Sequence, residues 1–255
     1  MAQDGRKIWQ PIPTETRPKL DPEYVAFHDQ YMQYVQPDDL KVWDGTARTQ
    51  PSLPPGGTPP VPVGSTRDFC VGEFQLRAYT PTGESEANGW PVLIWFHGGG
   101  WAIGGLNDNK DFCTFVCQVS LLLIVPVIDN TATTEGVWKR NAVTAPWLTP
   151  ARMEWYRKLY FTNPEDREQW DASPNFAPES LLKRLPRTWM AVSDQDILAP
   201  EAESFAEQLK GLGVEVEVVT IEGGTHSILS LSGKVARGKR MVQDAANHLK
   251  LVFGS

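Results

Sequence analysis

Residues 91–101 read PVLIWFHGGGW, and the fold turns on how this stretch is read. From Val92 to Phe96 no polar side chain interrupts the run. A strand wet on one face alternates, so an unbroken run predicts a strand covered on both faces in a largely parallel sheet. Gly98, Gly99 and Gly100 follow His97 and precede Trp101. Without Cβ atoms, the backbone here can fold back directly after the strand and present N–H groups at the sheet's C-terminal edge. Amides so aimed stabilise a developing oxyanion. The bland alternative is a flexible glycine turn. A dinucleotide loop counted from Gly98 needs a third glycine where Ile103 stands, and no phosphate-loop lysine follows, so the nucleotide readings are weak.

Working outward, SLLLIVPVIDN (residues 120–130) is a second unbroken candidate strand, and RTWMAVS and VEVEVVTI are shorter ones near the C-terminus. Between them, Thr149 can cap a helix with Pro150 in its first turn. EAESFAEQLKGLG carries Ala202, Phe205, Ala206 and Leu209 on one face before Gly211 and Gly213 stop it. A last helix carries Val235, Val242, Ala245, Leu249 and Val252. Strands alternating with helices predict an α/β fold, a mostly parallel sheet with helices on both faces. Upstream, TRDFCVGEFQLRAYTP alternates at Phe74, Leu76 and Ala78 as half-buried antiparallel strands do. DPEYVAFHDQYMQYV begins with Asp21 as N-cap and Pro22 at the first helical position, and counts Val25, Tyr31 and Val35 among its apolar members. One domain is expected over 1–255, with a helical region at 1–49, an irregular Pro/Gly-rich linker at 50–63 and the core at 64–255.

Composition excludes several partners. The chain has 255 residues, a net charge of −7 and scattered basic residues, so it offers no electrostatic footprint for nucleic acid or anionic lipid. No run of about 18 apolar residues occurs and no signal peptide opens the chain, which predicts an unanchored cytoplasmic protein. Three cysteines are too few for a disulfide framework and fit a reducing compartment. Cys113 and Cys117 at i, i+4 lack a second Cys or His pair to complete a metal site, and read as buried helix thiols.

Strand-HGGGW, then SDQDIL after a strand, then EGGTHSIL after a further strand, resembles the hormone-sensitive-lipase-like branch of the α/β-hydrolases from about Pro62 onward. The resemblance implies a carboxylic-ester hydrolase needing no metal and no organic cofactor. It implies oxyanion donors in the loop Gly98, Gly99, Gly100, mainly the last two. The aspartate before Ile197-Leu198 is Asp196, favoured over Asp194, and orients His226 as the base. His97 is expected to be a structural hydrogen-bonding residue. The N-terminal helix and residues 147–161 resemble the family's cap, so a small or medium acyl ester is the implied ligand, with Trp101 lining its pocket.

The same family needs G-x-S-x-G, a strained strand-to-helix turn that lifts the serine oxygen above the sheet. No such pentapeptide occurs. Gly83-Glu84-Ser85-Glu86-Ala87 comes nearest but lies in a polar turn ahead of the HGGG strand, and neither Cys113 nor Cys117 has flanking glycines. The strand LLLIVPVIDN resembles the one the family places after the elbow, which puts a missing segment near Cys117–Ser120; alternatively it is the earlier strand and less is gone. The nucleophile is thus expected to be absent and serine-type turnover lost. Two other readings stand beside this one: a non-catalytic binding protein of the same fold, and a shortened splice or gene product. If the sheet closes over the loss, Leu121–Val127 is expected to pair in parallel with Val92–Phe96, giving about six strands.

Overall fold

Apolar runs become parallel strands in the C-terminal half, and these strands position the site. The computed structural model describes residues 6–46, 56–83, 94–115 and 121–253. Strands β1 (Ser65–Val71) and β2 (Phe74–Thr80) pair as an antiparallel hairpin, with Val71 opposite Phe74. Strands β3 (Leu121–Ile124), β4 (Thr188–Ser193) and β5 (Val216–Ile221) form a parallel sheet in the order β3-β4-β5. Leu121 lies opposite Thr188, and Thr188 opposite Val216. The helices are α1 (Pro22–Gln30), α2 (Lys110–Phe115), α3 (Pro150–Tyr160), α4 (Glu179–Leu182), α5 (Ala199–Gly211) and α6 (Ala236–Phe253).

All of β4 is buried, and its alternation sorts the core into two layers. Trp189 and Ala191 pack with Tyr24 and Phe27 of α1 and with Met241, Ala245 and Leu249 of α6. Met190 and Val192 face the other way, onto Ala202, Phe205, Ala206 and Leu209 of α5. Helices therefore cover both faces of a parallel sheet, as the sequence predicts. The predicted caps form as well. Asp21 accepts from the Glu23 amide at 2.8 Å and Thr149 from the Arg152 amide at 3.3 Å. The buried side of α1 is Tyr24, Phe27 and His28, an i, i+3, i+4 set, with Val25 packed partly against the same core and Tyr31 exposed.

The N-terminal half departs from expectation. Ile94, Trp95 and Phe96 lie in no strand, so the predicted pairing with Leu121–Val127 is not made by them. Only Trp95 turns inward, its ring 4.7 Å from that of Phe112 on α2, while Ile94 is 67% and Phe96 84% exposed. Two causes are visible. β3 stops after four residues, where Val125 takes a φ of +42° before Pro126, and among the described residues β3 pairs with β4 alone. Burial on both faces requires flanking strands, and among the described residues Ile94–Phe96 have none. The hairpin shares this fate. Phe74 is 76% exposed rather than half-buried, although Leu76 and Ala78 are half-buried as expected and the β1–β2 pairing itself forms. Among the described residues five strands form, two in the hairpin and three in the parallel sheet; Val92 and Leu93 of the remaining expected strand lie outside them.

Phe96→Lys is accordingly expected to change stability by less than about 0.5 kcal/mol in urea unfolding, as at an exposed site. A central-strand phenylalanine would lose several times that.

Part of the linker has a defined seat. The Thr58 amide donates to Asp111 Oδ2 at 2.9 Å and the Val61 amide to Thr114 Oγ1 at 3.1 Å, tying the segment to α2; residues 50–55 lie outside the described ones. Of the Cys113/Cys117 pair, Cys113 on α2 is half-buried rather than fully buried as predicted and Cys117 is outside the described residues; Cys70 in β1 is exposed. Among the described residues no helix is long and apolar enough to cross a membrane, and no cluster of His, Cys, Asp and Glu has the makings of a metal site.

Candidate active site

Adjacent parallel strands end side by side, so loops leaving their C-terminal ends meet over the sheet. The turn after β4 carries Asp196, and the turn after β5 carries His226. The two turns are laced together by backbone bonds. The Gln195 amide donates to Gly224 O at 3.0 Å and the Asp194 amide to Ile221 O at 3.3 Å. Gly224 admits no side chain here, since a Cβ would sit 2.8 Å from Ile221 O and 2.9 Å from Ser193 Oγ.

Within this frame His226 Nδ1 lies 2.8 Å from Asp196 Oδ2. Asp196 is 1% exposed, and its other oxygen accepts from the Leu198 amide at 3.2 Å. With Nδ1–H given to the carboxylate, the lone pair of the imidazole resides on Nε2. The His226 side chain is 30% exposed, and Nε2 has no hydrogen-bond partner among the described residues. Asp194, the alternative acid, points elsewhere; its Oδ1 is buried without a partner among the described residues.

Burial opposes a positive charge on His226, but the Asp196 carboxylate, through charge and hydrogen bond, and Glu201 beyond it outweigh that cost and raise the imidazole pKa above 6.5. A histidine pKa raised by folding contributes stability that is whole below the unfolded value and is lost as pH climbs through the folded one. Asp196→Asn removes the main attraction. The midpoint of the His226 ring resonances in an NMR titration is therefore expected to fall, and an unchanged midpoint would contradict the pairing.

Sequence reading missed a third member of this frame, Asn141. Its Nδ2 donates to Asp196 O at 2.5 Å and to Asp194 O at 2.9 Å, clamping the acid's backbone. It stands in an irregular segment with neither periodicity nor motif, so nothing in the chain's pattern singles it out.

The glycine loop is shaped by contact. Gly99 has φ +132° and Gly100 φ +55°; a Cβ would stand 2.0 Å from Ile103 O on the first and 2.3 Å from the Tyr156 ring on the second. Gly98 has open space. The turn closes by the Ala102 and Ile103 amides donating to Gly99 O at 3.1 and 2.9 Å. Among the described residues the amides of Gly99 and Gly100 have no acceptor and remain available as donors. His97 Nδ1 lies 2.7 Å from Gly98 O, the structural bond expected of it. Trp101 stacks on Tyr160 with centroids 4.9 Å apart, and Tyr160 meets Phe161 edge-on, so α3 raises an aromatic wall beside the loop. Buried Arg152, one turn before Tyr156 on α3, acts electrostatically on both Tyr156 and His226.

Comparison with known proteins agrees with this architecture. A profile of the alpha/beta hydrolase fold matches residues 118–230, a span that includes Asp196 and His226 and begins beyond the glycine loop. An AB hydrolase superfamily protein of Schizosaccharomyces pombe is 25% identical over 347 aligned residues, taking in 99% of this chain and 100% of that protein. A Gibberella moniliformis protein named as an esterase is 35% identical over 83 residues, 32% of this chain and 26% of its own length. Among solved structures, a thermostable esterase from Pseudomonas putida superposes with a TM-score of 0.72 at 20% identity, covering 92% of this chain and 98% of that one. Sequence match and superposition thus agree, and the chain has the alpha/beta hydrolase fold.

Proposed function

We propose that this chain is a carboxylic-ester hydrolase by lineage that retains the proton-handling pair and the donor loop but lacks the attacking serine. Asp196 orients the imidazole, His226 is the base, and the loop Gly98, Gly99, Gly100 supplies oxyanion donors, chiefly from the amides of Gly99 and Gly100. The ligand is a small or medium acyl ester, with Trp101 and the α3 aromatics along its apolar part. No metal or organic cofactor enters this scheme.

The observation that carries the reading is the 2.8 Å Asp196–His226 bond at adjacent strand ends, with an Nε2 that has no hydrogen-bond partner among the described residues. Two further facts support it. The similar proteins of Gibberella moniliformis and Pseudomonas putida are both named as esterases. The alignment with the Schizosaccharomyces pombe protein runs over 347 positions, which 255 residues cannot fill, so more than a quarter of it has no counterpart here. A lost internal segment, elbow included, accounts for that.

Serine-type catalysis without its nucleophile, and without the amide that follows the nucleophile, loses the acyl-enzyme route altogether. Purified protein should therefore give no release of acid from short-chain alkyl esters above buffer in a pH-stat assay. Sustained turnover would overturn the reading.

A further inference from the structure

Removing the serine does more than disable one route, because it leaves the imidazole facing whatever occupies the site. We propose that His226 is itself the acyl-accepting nucleophile of this chain, through Nε2, toward activated aryl esters. The inference rests on the reading above, in which no serine stands between the imidazole and the ester.

The geometry supplies each requirement. Asp196 Oδ2 accepts the Nδ1 proton at 2.8 Å, which fixes the tautomer and leaves the lone pair on Nε2. That nitrogen has no partner among the described residues, on a side chain 30% exposed. The pair is rigid, since the acid is buried and its turn is held by Asn141 and by the Gln195–Gly224 bond.

The chemistry restricts the substrate class. The Nε2 lone pair forms an N–C bond to the ester carbonyl, and the carbonyl π pair moves to oxygen. Collapse of this adduct breaks the bond to the better leaving group. A nitrophenolate leaves ahead of imidazole, giving an acylimidazolium whose Nδ1 proton stays on the bond to Asp196; an alkoxide does not, so an alkyl ester only returns to reactants. Water then adds to the acyl carbonyl, the N–C bond breaks, and the products are carboxylate, the nitrophenolate already released and the neutral imidazole with its Nδ1 proton, the two protons of the water passing to solvent. No oxidant, reductant or metal is needed. The attacking form is neutral imidazole, and Asp196 raises the pKa of His226, so the rate should rise with pH to a plateau reached above the ordinary histidine range.

The test is hydrolysis of p-nitrophenyl acetate by the whole chain, with ethyl acetate and a fluorophosphonate probe run in parallel. Expected are protein-dependent nitrophenolate release, loss of that release to the buffer rate in His226→Gln, no ethyl acetate turnover and no fluorophosphonate adduct. Asp196→Asn should move the pH midpoint down. Because a variant can lose its fold, the unmutated protein is also quenched during reaction and its acetyl adduct mapped, with His226 the expected site. An adduct confined to lysines, or release unchanged in His226→Gln, overturns the inference alone. A fluorophosphonate adduct on Ser or Cys with ethyl acetate turnover overturns the parent reading, and this one with it.

Discussion

Replacing Glu201 with alanine is expected to cost about 3–5 kcal/mol in urea unfolding, the scale seen when one partner of a buried charged network is removed. Glu201 lies in the first turn of α5 and is 2% exposed. Its Oε1 accepts from the Ile128 amide at 2.7 Å and the Asp129 amide at 3.2 Å, and its Oε2 from Trp138 Nε1 at 2.6 Å. The Arg157 guanidinium, itself 1% exposed, rests 4.3 Å from the Trp138 ring centroid and donates to Ala132 O and Asp129 O. One carboxylate thus joins the segment after β3 to α5 and, through Trp138, to α3. Alanine would strand three buried N–H groups and open a cavity.

The same residue gives a pH signature. Burial, opposed by its hydrogen bonds to Ile128, Trp138 and Asp129, pushes the Glu201 carboxyl up to about 7 from 4.5. Between those values the folded chain holds a proton that the unfolded chain releases, so stability should fall as pH rises across this window, by at most about 1.4 kcal/mol per pH unit. Glu201→Gln should flatten that slope. It would also turn an amide donor toward Trp138 Nε1 and so weaken the fold by less than alanine does.

Alanine at Gly99 or Gly100 is expected to destabilise by about 2–5 kcal/mol, combining a left-handed backbone penalty with overpacking. At Gly99 the obstacle is the backbone carbonyl of Ile103, and at Gly100 it is the body of the Tyr156 ring; neither is the free end of a flexible side chain. Gly98→Ala meets nothing within 4 Å and should leave the melting curve nearly in place. The contrast separates glycines required by the loop's shape from one that merely adjoins it. Equal losses at all three positions would mean that the loop is shaped differently.

The C-terminal half was legible because its signals are local. Thr149-Pro150 caps α3, the Ala202/Phe205/Ala206/Leu209 stripe marks α5, and the runs in β4 and β5 find their partners within this chain. The motifs around Asp196 and His226 were legible too, since each follows a strand whose C-terminal end sets its place. Burial in the N-terminal half was not. Phe74, Ile94 and Phe96 carry the pattern of residues meant for an interior, yet burial depends on neighbouring strands, and the described neighbours stop at β3. Asn141, Arg152 and Glu201 escaped notice for a different reason. Their importance comes from partners 53 to 142 residues away along the chain, to which no local period points.

The central claim is that Asp196 and His226 form a proton-handling pair that has no serine or cysteine nucleophile to serve. Incubation of the intact protein with a fluorophosphonate probe, followed by intact-mass measurement and peptide mapping, tests it most directly. The account predicts an unmodified mass after prolonged exposure; a stoichiometric adduct on any serine or cysteine, lost in His226→Gln, would contradict it.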